Sequence, residues 1–68
     1  MLDIEILEVI GVIATMKSSV IELNRVSVNR GKELFDLGRW SKDGKRYGGT
    51  LFEKHQLDKL KQILNDLE

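Results

Sequence analysis

The sequence predicts an α+β domain in which four antiparallel strands precede a single C-terminal helix. Three observations carry this expectation. Stretches rich in Ile, Val and other strand formers recur between residues 2 and 52. The clusters Asn29-Arg30-Gly31 and Lys42-Asp43-Gly44-Lys45 between them are short enough to be hairpin turns. Residues 53–68 carry leucines at helical spacing.

Each element has its own signal. In residues 2–16, LDIEILEVIGVIATM, Asp3 and Glu5 alternate with Ile4 and Ile6, as in a strand. The alternation fails after Glu8, and Gly11 suggests a bulge or bend. A helical stripe of Leu2, Ile6, Val9 and Ile13 is the competing reading, and the predominance of β-branched residues favours the strand. Lys17-Ser18-Ser19 reads as a turn. Residues 20–28, VIELNRVSV, form a second strand whose apolar phase changes at Asn24-Arg25, which predicts a bulge there. Asn29-Arg30-Gly31 follows as a hairpin loop, with Asn and Gly suited to positive φ.

Residues 32–41 form the third strand. Leu34, Asp36, Gly38 and Trp40 share one face; Glu33, Phe35, Leu37 and Arg39 share the other. Both faces mix apolar with charged residues. Asp43-Gly44 marks the next turn, and residues 46–52, RYGGTLF, the fourth strand. The helix spans residues 53–68, with Leu57, Leu60, Leu64 and Leu67 at alternating steps of three and four. Thr50 and Glu53 match a capping box, which would start the helix earlier. Short hairpins make the sheet antiparallel, and one helix covers only part of one face. The chain contains no internal repeat or linker, so residues 1–68 are one domain.

A 68-residue domain is marginal alone, and small domains compensate with disulfides, a metal or a partner. Here Cys is absent and His55 is the only histidine, which excludes disulfides and a thiolate metal site and leaves oligomerisation. Leu57, Leu60, Leu64 and Leu67 follow the spacing of a helix–helix seam, so they are the candidate homodimer interface. The alternative is that they pack on their own sheet. Residues 1–16 lack the basic start and unbroken apolar run of a secretory signal, and no stretch would span a membrane. A soluble cytoplasmic protein is the expectation.

Catalysis finds no support. His55 lies on the polar side of the helix, and Glu33 and Asp36 project from opposite faces of one strand. No phosphate loop surrounds Gly48-Gly49, and no nucleophile, base and orienting group come together. The expectation is a non-enzyme without cofactor, metal or small-molecule substrate.

Charge and aromatics point to nucleic acid. The net charge is zero, but residues 17–47 hold eight bases against four acids. Screening limits each charge to about 8–10 Å, so a local basic patch can bind phosphate despite the total. Single strands are held by cations on phosphates and rings under bases. The candidate set is Arg25, Arg30, Lys32, Arg39, Trp40, Lys45, Arg46 and Tyr47. Trp40 is the expected main stacking platform, with Gly38 leaving space beside it. Half-buried packing of Trp40 and Tyr47 is the competing reading; with Trp40 in the core, Tyr47 becomes the platform.

The run RVSVNRGKELFDLGRW, a charged turn, Gly48-Gly49-Thr50-Leu51-Phe52 and an amphipathic C-terminal helix together resemble the transcriptional positive cofactor 4 family. The resemblance is greatest to its bacterial YdbC-type members, in Glu22–Val28 and in Asp36 through Trp40-Ser41, and it covers roughly residues 20–64. It implies a coactivator-like homodimer joined through its helices, with two curved sheets that hold single-stranded DNA or RNA with little sequence preference. By position, Lys32 matches the family's basic residue after the hairpin glycine, Trp40 an aromatic on the third strand, and Leu57 an aromatic early in the helix. The chain departs from the pattern at Gly38, where the family has Arg, at Gly48, where it has Lys, and at Thr50, where it has Ile. A homodimeric protein-interaction module of the same fold is the alternative, favoured by those lost cations and the neutral net charge.

Overall fold

The computed structural model describes residues 2–67. It contains β1 (Ile4–Thr15), β2 (Ser19–Val28), β3 (Lys32–Ser41), β4 (Arg46–Phe52) and α1 (Lys54–Asn65). The four strands form one antiparallel sheet in the order β1-β2-β3-β4, so the fold is the expected four strands followed by one helix.

Local chemistry explains the connections. The chain reverses after β2 at Asn29 and Arg30, which take φ of 52° and 61°. The expected left-handed Gly31 is instead the closing residue, donating to Val28 O at 3.1 Å. Asn29 fixes this arrangement: its N–H donates to Asp3 O at 2.7 Å and its Oδ1 accepts from Asp3 N at 2.9 Å. The second hairpin follows the Asp-Gly signal, with Gly44 at φ 95° and Ser41 Oγ accepting from Lys45 N at 2.9 Å. The capping box differs from the expected Thr50–Glu53 pair. Thr50 stays in the ladder opposite Leu37, and the box is Glu53–Gln56, with Glu53 N donating to Gln56 Oε1 at 2.9 Å.

The bulge expected in β2 is not there. β2 pairs with β3 without interruption from Ser19 to Val28. The irregularities lie in β1, between Ile6 and Glu8, Val9 and Gly11, and Val12 and Ala14. Leu7, Ile10 and Ile13 are therefore extra residues. The phase change read in β2 has another cause: Glu22 and Asn24 are buried on the same face as Val26, so polarity changes along the strand while the face does not.

That face, with Glu22, Asn24 and Val26 from β2 and Asp36, Gly38 and Trp40 from β3, is the buried one. The helix lies on the other, beside Leu23. Burial of an uncovered face comes from curling of the sheet, and bulges increase that coil. Val26 and Trp40 are the only buried hydrophobic residues among those described.

Candidate nucleic-acid interface

Asp36 organises the concave face. It is fully buried and accepts from Arg46 Nη2 at 2.8 Å, Arg46 Nε at 3.2 Å and Trp40 Nε1 at 3.3 Å. The β3–β4 register places Arg46 opposite Trp40, which brings the guanidinium to the acid. A buried carboxylate requires such partners, because removing its charge from water is costly. Beside Asp36, Asn24 Nδ2 donates to Glu22 Oε1 at 3.1 Å, while Asn24 Oδ1 has no partner among the described residues.

The space expected beside the indole is filled. A Cβ at Gly38 would collide with Asp36 Oδ2 and lie 2.9 Å from Trp40 Nε1. The glycine is what lets acid and indole meet, which gives the departure at position 38 a local reason. Gly49, its partner across the ladder, is as constrained: φ is 156°, and a Cβ would lie 2.5 Å from Leu37 O. Trp40 is 7 % exposed. The expected main stacking platform is therefore turned into the concave face.

Tyr47 occupies the opposite position. Arg39 pairs with Gly48 and Trp40 with Arg46, so Tyr47 is an unpaired extra residue of β4. The irregularity pushes its ring outward, and it is 58 % exposed. Arg39 projects to the face opposite Trp40, as expected, and its Cζ lies 5.7 Å from the centre of the Tyr47 ring, within cation–π range. Arg39 Nε also donates to buried Ser19 Oγ at 3.1 Å, which holds the guanidinium in place. Ile21, Leu37, Arg39, Tyr47 and the Gly48-Gly49 backbone line a recess of about 380 Å³. The Gly-Gly run leaves its floor free of side chains.

The remaining cations divide in two. Arg25 lies between Glu33, at 2.8 Å, and Glu8, at 3.3 Å. The hydrogen bonds it donates to Glu33 and then Glu8 raise its pKa above the usual arginine value. Arg30 faces Asp3 at 3.9 Å, Lys32 faces Glu53 at 3.7 Å, and Arg46 is held by Asp36. Arg39 and Lys45, with Lys42 in the same turn region, make no ion pair among the described residues and are exposed.

The candidate dimer leucines are also divided. Leu57 and Leu60 are half-buried, Leu64 is exposed, and Leu67 is exposed beyond the end of α1. Ile63, outside the expected seam, is exposed as well. No helix among the described residues is long and apolar enough to cross a membrane. Compared with known proteins, the chain matches no family model, no curated protein and no solved structure.

Proposed function

We propose that the protein is a cytoplasmic homodimer that binds single-stranded DNA or RNA with little sequence preference, in the service of transcription, replication or repair. The observation that carries the reading is the Arg39–Tyr47 pair over an open recess. A phenol ring backed by a guanidinium gives an unpaired base a platform, and stacking is indifferent to base identity because every base has a π-face. The recess beside it accepts the base without side-chain obstruction from Gly48 or Gly49. Lys45 and Lys42, without an ion pair among the described residues and at the same end of the sheet, supply the phosphate contacts. The sequence resemblance supports the same ligand. This reading moves stacking from Trp40 to Tyr47 and removes Arg46 and Arg25 from the phosphate-binding set, because both are occupied by carboxylates.

The pairing of four of the six candidate cations favours the alternative of a protein-interaction module. Fluorescence anisotropy with a labelled oligothymidylate and a blunt duplex, each at low and moderate salt, separates the two. The single strand should bind more tightly, with affinity falling as salt rises. Equal affinity for both would indicate simple polyanion attraction, and no binding at low salt would leave the interaction module.

A further inference from the structure

The Arg39 guanidinium is anchored at one end and free at the other. Its Nε donates to Ser19 Oγ at 3.1 Å, and Ser19 is fully buried. Nη1 and Nη2 make no hydrogen bond or ion pair among the described residues, and the side chain is exposed. Two donors in one rigid plane match two acceptors that lie side by side. The surroundings of this fork select the ligand. Ile21 and Leu37 give the recess an apolar floor, Gly48 and Gly49 bring only backbone to it, and no acid among the described residues lines it. Tyr47 contributes an aromatic wall. Such a slot suits the edge and face of a flat base better than a hydrated phosphate, and Lys42 and Lys45 are there for phosphates. Among the bases, guanine offers O6 and N7 together as acceptors, whereas adenine sets N7 beside an amino donor that would oppose the fork. Thymine and uracil have no two adjacent acceptors. Cytosine has N3 beside O2, but its single ring covers less of the phenol than a purine does.

We infer that the Arg39–Tyr47 recess reads guanine: the base lies over the apolar floor against the Tyr47 ring, and the free Nη1 and Nη2 of Arg39 donate to its O6 and N7. Arg39 is then a specificity-determining residue, and the rest of the strand is held without regard to sequence. One guanine per recess sets the register of an otherwise indifferent strand. The inference rests on the proposed single-strand binding and adds the base that the site selects. In the family that the sequence resembles, the arginine of this strand falls at position 38, on the opposite face, so the fork at Arg39 is this chain's own.

Fluorescence anisotropy tests it with labelled strands of one length: oligothymidylate, and oligothymidylate carrying a single central guanine, 7-deazaguanine or cytosine. 7-Deazaguanine keeps O6 and the purine rings but has carbon in place of N7. Wild type should bind the guanine strand at least about fivefold more tightly than oligothymidylate, the lower end for a bidentate arginine–guanine pair. The 7-deazaguanine strand should lose most of that gain. Arg39→Lys keeps the charge and removes the fork, so the guanine-to-thymine ratio should fall to about one, whatever becomes of overall affinity. Equal binding of the guanine and thymine strands by wild type overturns the inference. So does a gain that 7-deazaguanine retains, which would be stacking alone, or one that survives Arg39→Lys. A cytosine strand that binds as tightly as the guanine strand overturns it as well. In all of these cases oligothymidylate still binds and the single-strand reading stands; a wild type that binds none of the strands removes both.

Discussion

Replacing Asp36 with alanine should cost more stability than any other single polar substitution in the sheet. The acid is fully buried and accepts three hydrogen bonds, two from Arg46 and one from the Trp40 indole. Removing one member of a buried ion pair typically costs about 3–5 kcal/mol, because the other charge is stranded. Arg46 keeps 21 % of its side chain exposed and can regain water, which places the loss at the lower end. The indole N–H then loses its acceptor at about 1 kcal/mol. The sum is about 4 kcal/mol, and domains of this length hold only roughly 3–10 kcal/mol in total. The assay is urea denaturation followed by Trp40 fluorescence, at one fixed protein concentration because the proposed association would contribute to apparent stability. In a thermal melt of the same variant the expected fall in Tm is roughly 15–30 °C. Arg46→Met and the double variant complete the cycle, and the double variant should be less harmed than the sum of the singles. A loss below about 1 kcal/mol for Asp36→Ala, with no coupling to Arg46, would refute the buried pair and with it the assignment of Arg46 to structure.

Gly49→Ala should destabilise by about 1–3 kcal/mol in the same assay, because its Cβ meets the Leu37 carbonyl and Gly38 Cα, which are backbone and cannot step aside. Tyr47→Ala should weaken oligothymidylate binding by about 1–3 kcal/mol in anisotropy titrations, with the salt slope unchanged. In the free protein Trp40 emission should be blue-shifted, and saturating oligonucleotide should leave it so, since the indole lies inside the concave face. Lys45→Ala should reduce the single-strand salt slope by about 0.7, whereas Arg25→Ala, whose charge is already matched by Glu33 and Glu8, should leave that slope as it is.

The elements legible in the sequence are those whose signals are local. Asp43-Gly44 announces its hairpin because glycine takes the φ of 95° that the turn needs, and the helix announces itself through the leucine spacing. β1 is harder to read, for a reason its register supplies. Each irregularity inserts a residue and resets the inside–outside alternation, so the pattern is lost after Glu8. With the period of two broken at 7, 10 and 13, nothing in the pattern excludes the helical stripe of Leu2, Ile6, Val9 and Ile13 that competes with the strand. In β2 the obstacle is polarity. A reading that equates burial with apolarity must shift phase at Asn24, whereas the fold keeps one face and buries Glu22 and Asn24 on it.

The site shows where strand parity stops being informative. Parity correctly puts Asp36, Gly38 and Trp40 on one face and Arg39 on the other. It does not say which face is closed, and an absent side chain at Gly38 looks like open space until the neighbouring carboxylate is placed in it. The clue available in the sequence is the acid. An aspartate among apolar and aromatic residues on one strand face either leaves that face wet or demands donors, and here the donors are the indole two positions beyond Gly38 and an arginine across the next hairpin. Once Asp36 takes both, Trp40 and Arg46 are no longer available to a ligand, and the only exposed aromatic backed by a cation among the described residues is Tyr47. Neither the positive count of residues 17–47 nor the adjacency of Arg39 to Trp40 narrows the candidate interface; the partner that each charge already has does.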